Sequence, residues 1–366
     1  MRIMVAMSGG VDSSVVAGLL AEQGHDVIGA TLQLYDHGAA VQKKGACCAG
    51  QDIHDARDVA DRLGIPHYVL DRESRFRDAV IGDFADSYAR GETPIPCVRC
   101  NQTVKFQDLV ALARDLGCDA LATGHYARRV EGPGGPELHR AADPARDQSY
   151  FLFATTREQL GFARFPLGDM PDKAAVRREA ARLGLAVAEK ADSQDICFVP
   201  TGRYHDLVAK LRPEAAQAGE IVDTAGRVLG QHQGMARYTV GQARGLGLPG
   251  DAGLRVAALD AGRRRIVVAP AASIPVAEVP VAEVNWLMDP PAAPFRAEAK
   301  FRAREVPQPV TAEWDAASGR LLVRPDTPVI SAPGQGCVLY DGDRVLCGGF
   351  IRATRAPVVD AEAPAA

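Results

Sequence analysis

Residues 4–20, MVAMSGGVDSSVVAGLL, join a short apolar run to a segment of helical apolar spacing through a Ser-Gly-Gly turn. A strand followed by a helix, when the order repeats, implies parallel pairing through right-handed crossovers. The pattern then repeats. DVIGATLQL is strand-like, DIHDARDVADRLGIP is helical and ends at Gly64 before Pro66, and HYVLD is strand-like. FRDAVIGDFADSYARG and VKFQDLVALARDLG have helical spacing, and CDALATGHYA reads as a strand entering a loop. An open parallel α/β sheet follows. After about residue 215 the helical period gives way to β-branched segments cut by Gly, Pro and Asp turns, with VDTAGRVL and LDAGRRRIVV as hairpins. The expected fold class is α/β + β: an N-terminal open parallel sheet (1–205), a small central β-rich domain (206–274), a C-terminal β-barrel (275–356) and a disordered Ala/Pro/acid tail (357–366).

No apolar run reaches the roughly 18–20 residues that span a bilayer. MRIMVAMSGG lacks a small-residue cleavage site, so a cytoplasmic address and no membrane partner are expected. With a net charge of −4, any polyanionic partner must meet a local basic face. FRAEAKFRARE offers one. Read with period two, Phe295, Ala297, Ala299, Phe301 and Ala303 share one side, while Lys300, Arg302 and Arg304 line the other as a phosphate-binding stripe. Arg263-Arg264-Arg265, in a hairpin, is a second candidate.

Ser8-Gly9-Gly10-Val11-Asp12-Ser13 carries anion chemistry. The glycines let backbone N–H groups approach a phosphate, and the following helix N-terminus adds unpaired donors. Neither G-x-x-x-x-G-K-[ST] nor G-x-G-x-x-G is present. TPIPCVRCNQTVKF (93–106) sets Cys97 and Cys100 three apart. This pair reads as a zinc half-site, a redox dithiol, iron–sulfur ligands or one catalytic thiol with a neighbour. There is no second C-x-x-C, and the adjacent Cys47-Cys48 is a poor chelating partner, which disfavours zinc. Cys118, Cys337 and Cys347, in apolar or glycine-rich surroundings, read as buried structural thiols. His125 reads equally as a nucleotide contact or a hydrogen-bonded loop residue, and the other histidines lack ligand spacing.

The Ser-Gly-Gly-Val-Asp-Ser loop resembles the PP-loop of ATP pyrophosphatases. With TPIPCVRCNQTVKF, ATGHYAR (122–128), DPARDQSYFL (143–152), FPLGDMPDKAAVR (165–177), KADSQDICF (190–198) and YTVGQARGLG (238–247), the chain resembles the tRNA-specific 2-thiouridylase family over about residues 3–352. The resemblance implies ATP as its Mg²⁺ complex and thiolation of the wobble uridine, position 34, in tRNA of the Lys, Glu and Gln type. It implies O2-adenylation of the base, with release of pyrophosphate and AMP. It also implies sulfur from a cysteine desulfurase or relay protein.

By the same resemblance Ala6, Met7, Ser8, Gly9, Gly10, Val11, Asp12 and Ser13 hold the ATP phosphates, and Leu32 and Gly124 meet adenine and ribose. Cys100 matches the nucleophile and Cys197 the persulfide carrier, the two forming a transient disulfide. Ile95, Pro96 and Cys97 lie where the target base enters. Arg146, Asp147 and Gln148, with Lys300, Arg302, Ala303 and Arg304, fall where the family contacts tRNA. Both thiols are expected in partly exposed, electropositive settings. By the same resemblance, better-known family members carry Asp where this chain has Cys97. Cys97, Cys100 and Cys197 could then ligate a [4Fe–4S] cluster in place of a cluster-free persulfide route. Two other classes stay open: a PP-loop ligase acting on a small metabolite, and a non-catalytic iron–sulfur or RNA-binding module.

Overall fold

The computed structural model describes residues 1–35, 48–192, 196–199, 203–248 and 253–353, with backbone alone for 48 and 49. The Cys47-Cys48 thiols and the tail 357–366 lie outside the described residues. β1 (Arg2–Ala6), β2 (Asp26–Gln33), β3 (His67–Asp71), β4 (Ala120–Thr123) and β7 (Ala163–Arg164) form an all-parallel sheet of order β3-β2-β1-β4-β7. Central β1 serves two cores because alternate residues face opposite sides. Met4 packs with Ile28, Leu109 and Leu121, while Ile3 and Val5 pack with Val15, Val16 and Val59.

The expected helices form: α1 (Val11–Glu22) and α2 (Cys48–Leu63) come first. α3 (Glu73–Phe76) continues through a π-helical stretch, Arg77–Gly82, into α4 (Asp83–Ala89). The TPIPC stretch runs into a helix. α5 (Pro96–Cys100) runs through a second π segment, Asn101–Lys105, into α6 (Phe106–Asp115). Pro96 occupies the first turn, where a missing N–H costs nothing.

A hairpin, β5 (Ala127–Gly132) and β6 (Gly135–Arg140), leaves this domain. Helices α7 (Arg157–Phe162), α8 (Lys173–Arg182) and α9 (Tyr204–Leu211) lead on to the β-rich half. The central domain is a four-stranded sheet, β10-β11-β8-β9, built from β8 (Gly219–Val222), β9 (Val228–His232), β10 (Leu254–Asp260) and β11 (Arg265–Pro270). Both expected hairpins are there.

The C-terminal strands are β12 (Val279–Trp286), β13 (Phe295–Lys300), β14 (Gln308–Asp315), β15 (Arg320–Pro325), β16 (Gly336–Asp341) and β17 (Arg344–Ile351). They run in the order β12-β15-β14-β13-β16-β17, and pairing of β12 with β17 closes the barrel. The β5–β6 hairpin adds to this sheet where His139 meets Arg344. Among the described residues no helix is long and apolar enough to cross a membrane.

One expectation fails here. β13 stops at Lys300, so the period-two face does not continue to Arg304. Lys300 is buried, its ammonium 3.3 Å from Asp147 and over the Tyr340 ring, and Phe301 is wholly enclosed. A charge that is removed from water needs a partner, and Asp147 takes the place the stripe reserved for phosphate. Arg302 donates to the Val240 carbonyl at 3.3 Å, tying the barrel to the central domain, while Arg304 stays exposed. Arg263, Arg264 and Arg265 are likewise engaged, with Asp260, Gln217 and Glu220.

Candidate active site

The Ser-Gly-Gly turn joins β1 to α1. Gly9 has φ +71°, and a Cβ there would lie 2.1 Å from the Asp52 carbonyl oxygen, so only glycine fits. The Ser8 N–H donates to Ser13 Oγ (3.1 Å), and the Ser14 hydroxyl donates to the Gly10 carbonyl (2.8 Å). No side chain caps α1, whose first amides remain for an anion. Gly124, after β4, presses on this terminus: a Cβ there would sit 2.9 Å from the Ser13 nitrogen. Met7 and Val11 are buried behind the turn, whereas Ala6 and Leu32 are half-buried beside the ends of β1 and β2.

Two lysines that sequence reasoning missed flank the turn. Lys173 pairs with Asp12 (2.7 Å) and Asp192 (2.8 Å), and Tyr126 donates to Asp12 at 2.7 Å. Lys190 donates to the Gly9 carbonyl (2.9 Å) and pairs with Asp52 (2.7 Å) and Asp55. Both occur inside motifs quoted above, FPLGDMPDKAAVR and KADSQDICF, but a lysine on a helix or in a loop has no local signature of phosphate proximity. Arg146 joins Asp192 at 2.8 Å. Gln148 accepts from the Tyr126 N–H at 2.9 Å. Asp147 accepts from the N–H groups of Ala141 and Ser149, the Ser149 hydroxyl and Lys300. The Asp147 and Lys300 side chains therefore serve each other and the backbone.

Two thiols sit on α5, and the π segment after it supplies a lysine. Cys97 is exposed and Cys100 is buried. A π turn inserts an extra residue into the helical ladder, and here it carries Lys105 back among the sulfurs. The charges of Cys100, Cys97 and Cys197 all act on Lys105 and, against the opposing effect of its burial, hold its pKa above the ordinary lysine value. Cys197, exposed, is anchored by its neighbour Phe198. That ring lies edge-on to Phe76 (5.7 Å) and Phe84 (5.3 Å) and packs on the apolar cluster containing Cys100 and Leu32. Two thiols distant in sequence are thereby brought into one site.

Burial raises the Cys100 pKa, with Lys105 opposing and the Cys97 charge adding. Cys197 is pushed up to about 11 by desolvation and by the charge of Cys100, again opposed by Lys105. The expected electropositive setting is present; the expected exposure holds for Cys197 and fails for Cys100.

His125 connects the two halves. Its Nδ1 lies 2.8 Å from the Thr123 hydroxyl, and its ring stacks on Phe106 (6.2 Å) with Phe165 edge-on (6.4 Å). Burial and the nearby Lys105 charge lower its pKa to about 3, so the ring is neutral. Contacts run from Ser13 through Gly124 and His125 to Phe106, the chain neighbour of Lys105. Among the described residues, no three His, Cys, Asp or Glu side chains gather to hold a metal ion. Cys118, Cys337 and Cys347 are buried, as expected.

Comparison with known proteins agrees with this arrangement. A family model described as "tRNA methyl transferase HUP domain" matches residues 1–201, and the associated PRC-barrel and aminomethyltransferase β-barrel models match 205–270 and 276–351. The chain is 69% identical over 351 residues to the tRNA-specific 2-thiouridylase MnmA of Acidiphilium cryptum, spanning 96% of this chain and 100% of that one. It is 61% identical to the Gluconobacter oxydans protein of the same name, over 96% and 99% of the two chains. The Rhodospirillum centenum protein is 59% identical over 99% of this chain and 94% of its own. With that identity sustained end to end and all three domain models matched in order, the chain belongs to the tRNA-specific 2-thiouridylase family.

Proposed function

We propose that this enzyme converts the wobble uridine of Lys, Glu and Gln-type tRNA to 2-thiouridine in the cytoplasm, consuming ATP and a sulfur atom relayed by a cysteine desulfurase. The observation that carries this reading is the contiguity of a phosphate-binding turn with a thiol group centred on Lys105. A ligase for small metabolites needs the first of these and not the second.

ATP enters as its Mg²⁺ complex, with its phosphates on Ser8–Ser13 and its adenosine against Ala6, Leu32 and Gly124. Lys173, which is paired with Asp12, and Lys190, which braces Gly9, keep the turn in place. The uracil enters beside Ile95, Pro96 and Cys97, and the tRNA backbone meets Arg146, Gln148, Arg302, Ala303 and Arg304. Uridine O2 attacks the α-phosphorus, pyrophosphate leaves, and the base becomes an O2-adenylate. The terminal sulfur of a Cys197 persulfide then adds to C2, and AMP departs with O2. Cys100 attacks the Cys197 sulfur, breaks the S–S bond, and leaves 2-thiouridine and a Cys100–Cys197 disulfide for reduction by an external thiol. Lys105 stabilises the thiolates that form along this route.

Among the described residues no three His, Cys, Asp or Glu side chains gather as ligands of one ion, and no step here is routed through a [4Fe–4S] cluster on Cys97, Cys100 and Cys197. Metal-free protein is expected to thiolate at full rate, with iron counting beside the assay. The test of the whole reading is ATP turnover with and without tRNA, followed by mass spectrometry of the nucleosides. AMP formation that needs tRNA and yields 2-thiouridine supports it. Turnover indifferent to tRNA refutes it.

A further inference from the structure

The helix that carries the cysteines is held from outside its own domain. Just before α5, the Thr93 N–H donates to the Pro333 carbonyl (2.7 Å), and the Gln335 side chain donates to the Thr93 carbonyl (2.9 Å). Gly334 fits there only because it lacks a Cβ, which would lie 2.9 Å from that same carbonyl oxygen. Within α5, Arg99 lies on the turn between Cys97 and Cys100, and its guanidinium leaves the domain. It pairs with Glu283 of the barrel at 2.8 Å, lies 4.1 Å over the Phe350 ring, and reaches Asp83 at 3.5 Å. Glu283 also takes Arg352 at 2.5 Å, and Arg352 reaches Glu92 at 3.5 Å. These groups line a cavity of about 310 Å³ between the first domain and the barrel.

Glu283 reaches Arg99 from an unfavourable backbone. Its φ is +52°, which non-glycine residues rarely adopt, and the β12–β17 register shifts between Ala282 and Asn285 around it. A strained residue persists where its surroundings over-determine it. Here the strain turns a carboxylate from the barrel strand towards the cysteine helix. Asn285, just past the bulge, donates to the carbonyls of Phe153 and Thr155 (2.7 and 2.9 Å) and fixes the same strand against the first domain.

We infer that Glu283 is a positioning residue for sulfur transfer: through Arg99 it sets the orientation of the Cys97–Cys100 turn, so the barrel controls the thiol geometry. The inference rests on the thiolation reading. Its consequence falls mainly on one step, because the phosphate-binding turn lies on a different segment from α5. Loss of the link should slow sulfur transfer more than adenylation, since α5 also borders the uracil, and let the activated base hydrolyse back to uridine and AMP.

The experiment uses the full-length enzyme, tRNA transcript, ATP and a persulfide donor, and compares Glu283→Gly, Glu283→Gln and Glu283→Asp. Glycine relieves the positive φ while removing the carboxylate, so this variant keeps or gains thermal stability. For Glu283→Gly and Glu283→Gln the expected result is a fall of about tenfold in kcat for thiolation, KM for tRNA within twofold, and AMP release exceeding 2-thiouridine formed. Glu283→Asp is expected to restore part of the coupling. Unchanged 2-thiouridine per AMP in both neutral variants overturns the inference, and so does a loss that follows melting temperature. Failure of the thiolation reading itself would appear separately, as wild-type enzyme yielding no 2-thiouridine.

Discussion

Two pairs of thiols in this chain are raised by desolvation, one pair wholly enclosed and the other with Cys197 exposed, and only the second has a lysine beside it. Cys337 and Cys347 are fully buried between barrel strands β16 and β17, where burial alone pushes Cys337 far up and the charge of Cys337 raises Cys347 further. Cys100 and Cys197 are raised by burial too, but Lys105 pulls against it in both. A thiol without a cation in reach is a small hydrophobe; beside the half-buried Lys105 ammonium it has a thiolate within reach of its chemistry. Burial therefore does not separate structural from reactive cysteines here. The cation does.

The comparison breaks most visibly if Cys197 proves dispensable. Cys197→Ser is expected to lower 2-thiouridine formation by roughly a thousandfold or more while tRNA-dependent AMP release continues, read by nucleoside mass spectrometry. Persistent thiolation would move the persulfide to another sulfur. Lys105→Met tests the cation itself. Thiolation should fall by roughly a hundredfold, as when one preorganised charge is lost from a site. Its pH–rate profile should also shift to higher pH, because the thiolates lose their counter-charge. An unshifted profile would show that Lys105 serves only to pack.

Lys105 is also where legibility from sequence ends. The strand–turn–helix alternation, the two central hairpins and the Ser-Gly-Gly turn are written in local spacing, and the parallel sheet follows from the alternation. The helical start at Pro96 was hidden because two prolines and a five-residue turn give no periodicity to read. Lys105 was invisible because its position depends on the π turn that returns it to the sulfurs. The basic stripe erred for the opposite reason: a period-two pattern was legible, but the partner that buries Lys300, Asp147, lies 153 residues away. Local pattern locates backbone; long-range charge pairing locates chemistry.

The same ammonium acts on a base as well as on acids. His125 has its pKa lowered to about 3 from the ordinary 6.5, first by burial and then by Lys105. As pH falls through 6.5 the unfolded chain takes up a proton that the folded ring refuses, so this contribution to stability declines between pH 6.5 and 3. Going from pH 7 to pH 5 should cost about 2 kcal/mol on this account. In denaturant melts at several pH values, His125→Gln should flatten the acid limb by that amount. A wild-type slope left unchanged by the substitution would place the titration elsewhere.

The smallest effect belongs to the barrel thiols, and it sharpens the contrast because it separates stability from activity. Cys347→Ala removes one sulfur from a fully enclosed site and should cost about 1–2 kcal/mol. Cys347→Ser is nearly isosteric but puts a hydroxyl among apolar neighbours, so it should be the more destabilising of the two by about 1 kcal/mol or more. At equal folded concentration both variants should thiolate tRNA at the parental rate, because no cation lies near that sulfur to make it reactive. At Cys100 the two substitutions should instead be equally inactive whatever their stabilities. An activity loss at Cys347 that exceeds its loss of folded protein would mean that burial beside the barrel wall, with no charge nearby, is enough to make a thiol part of the reaction.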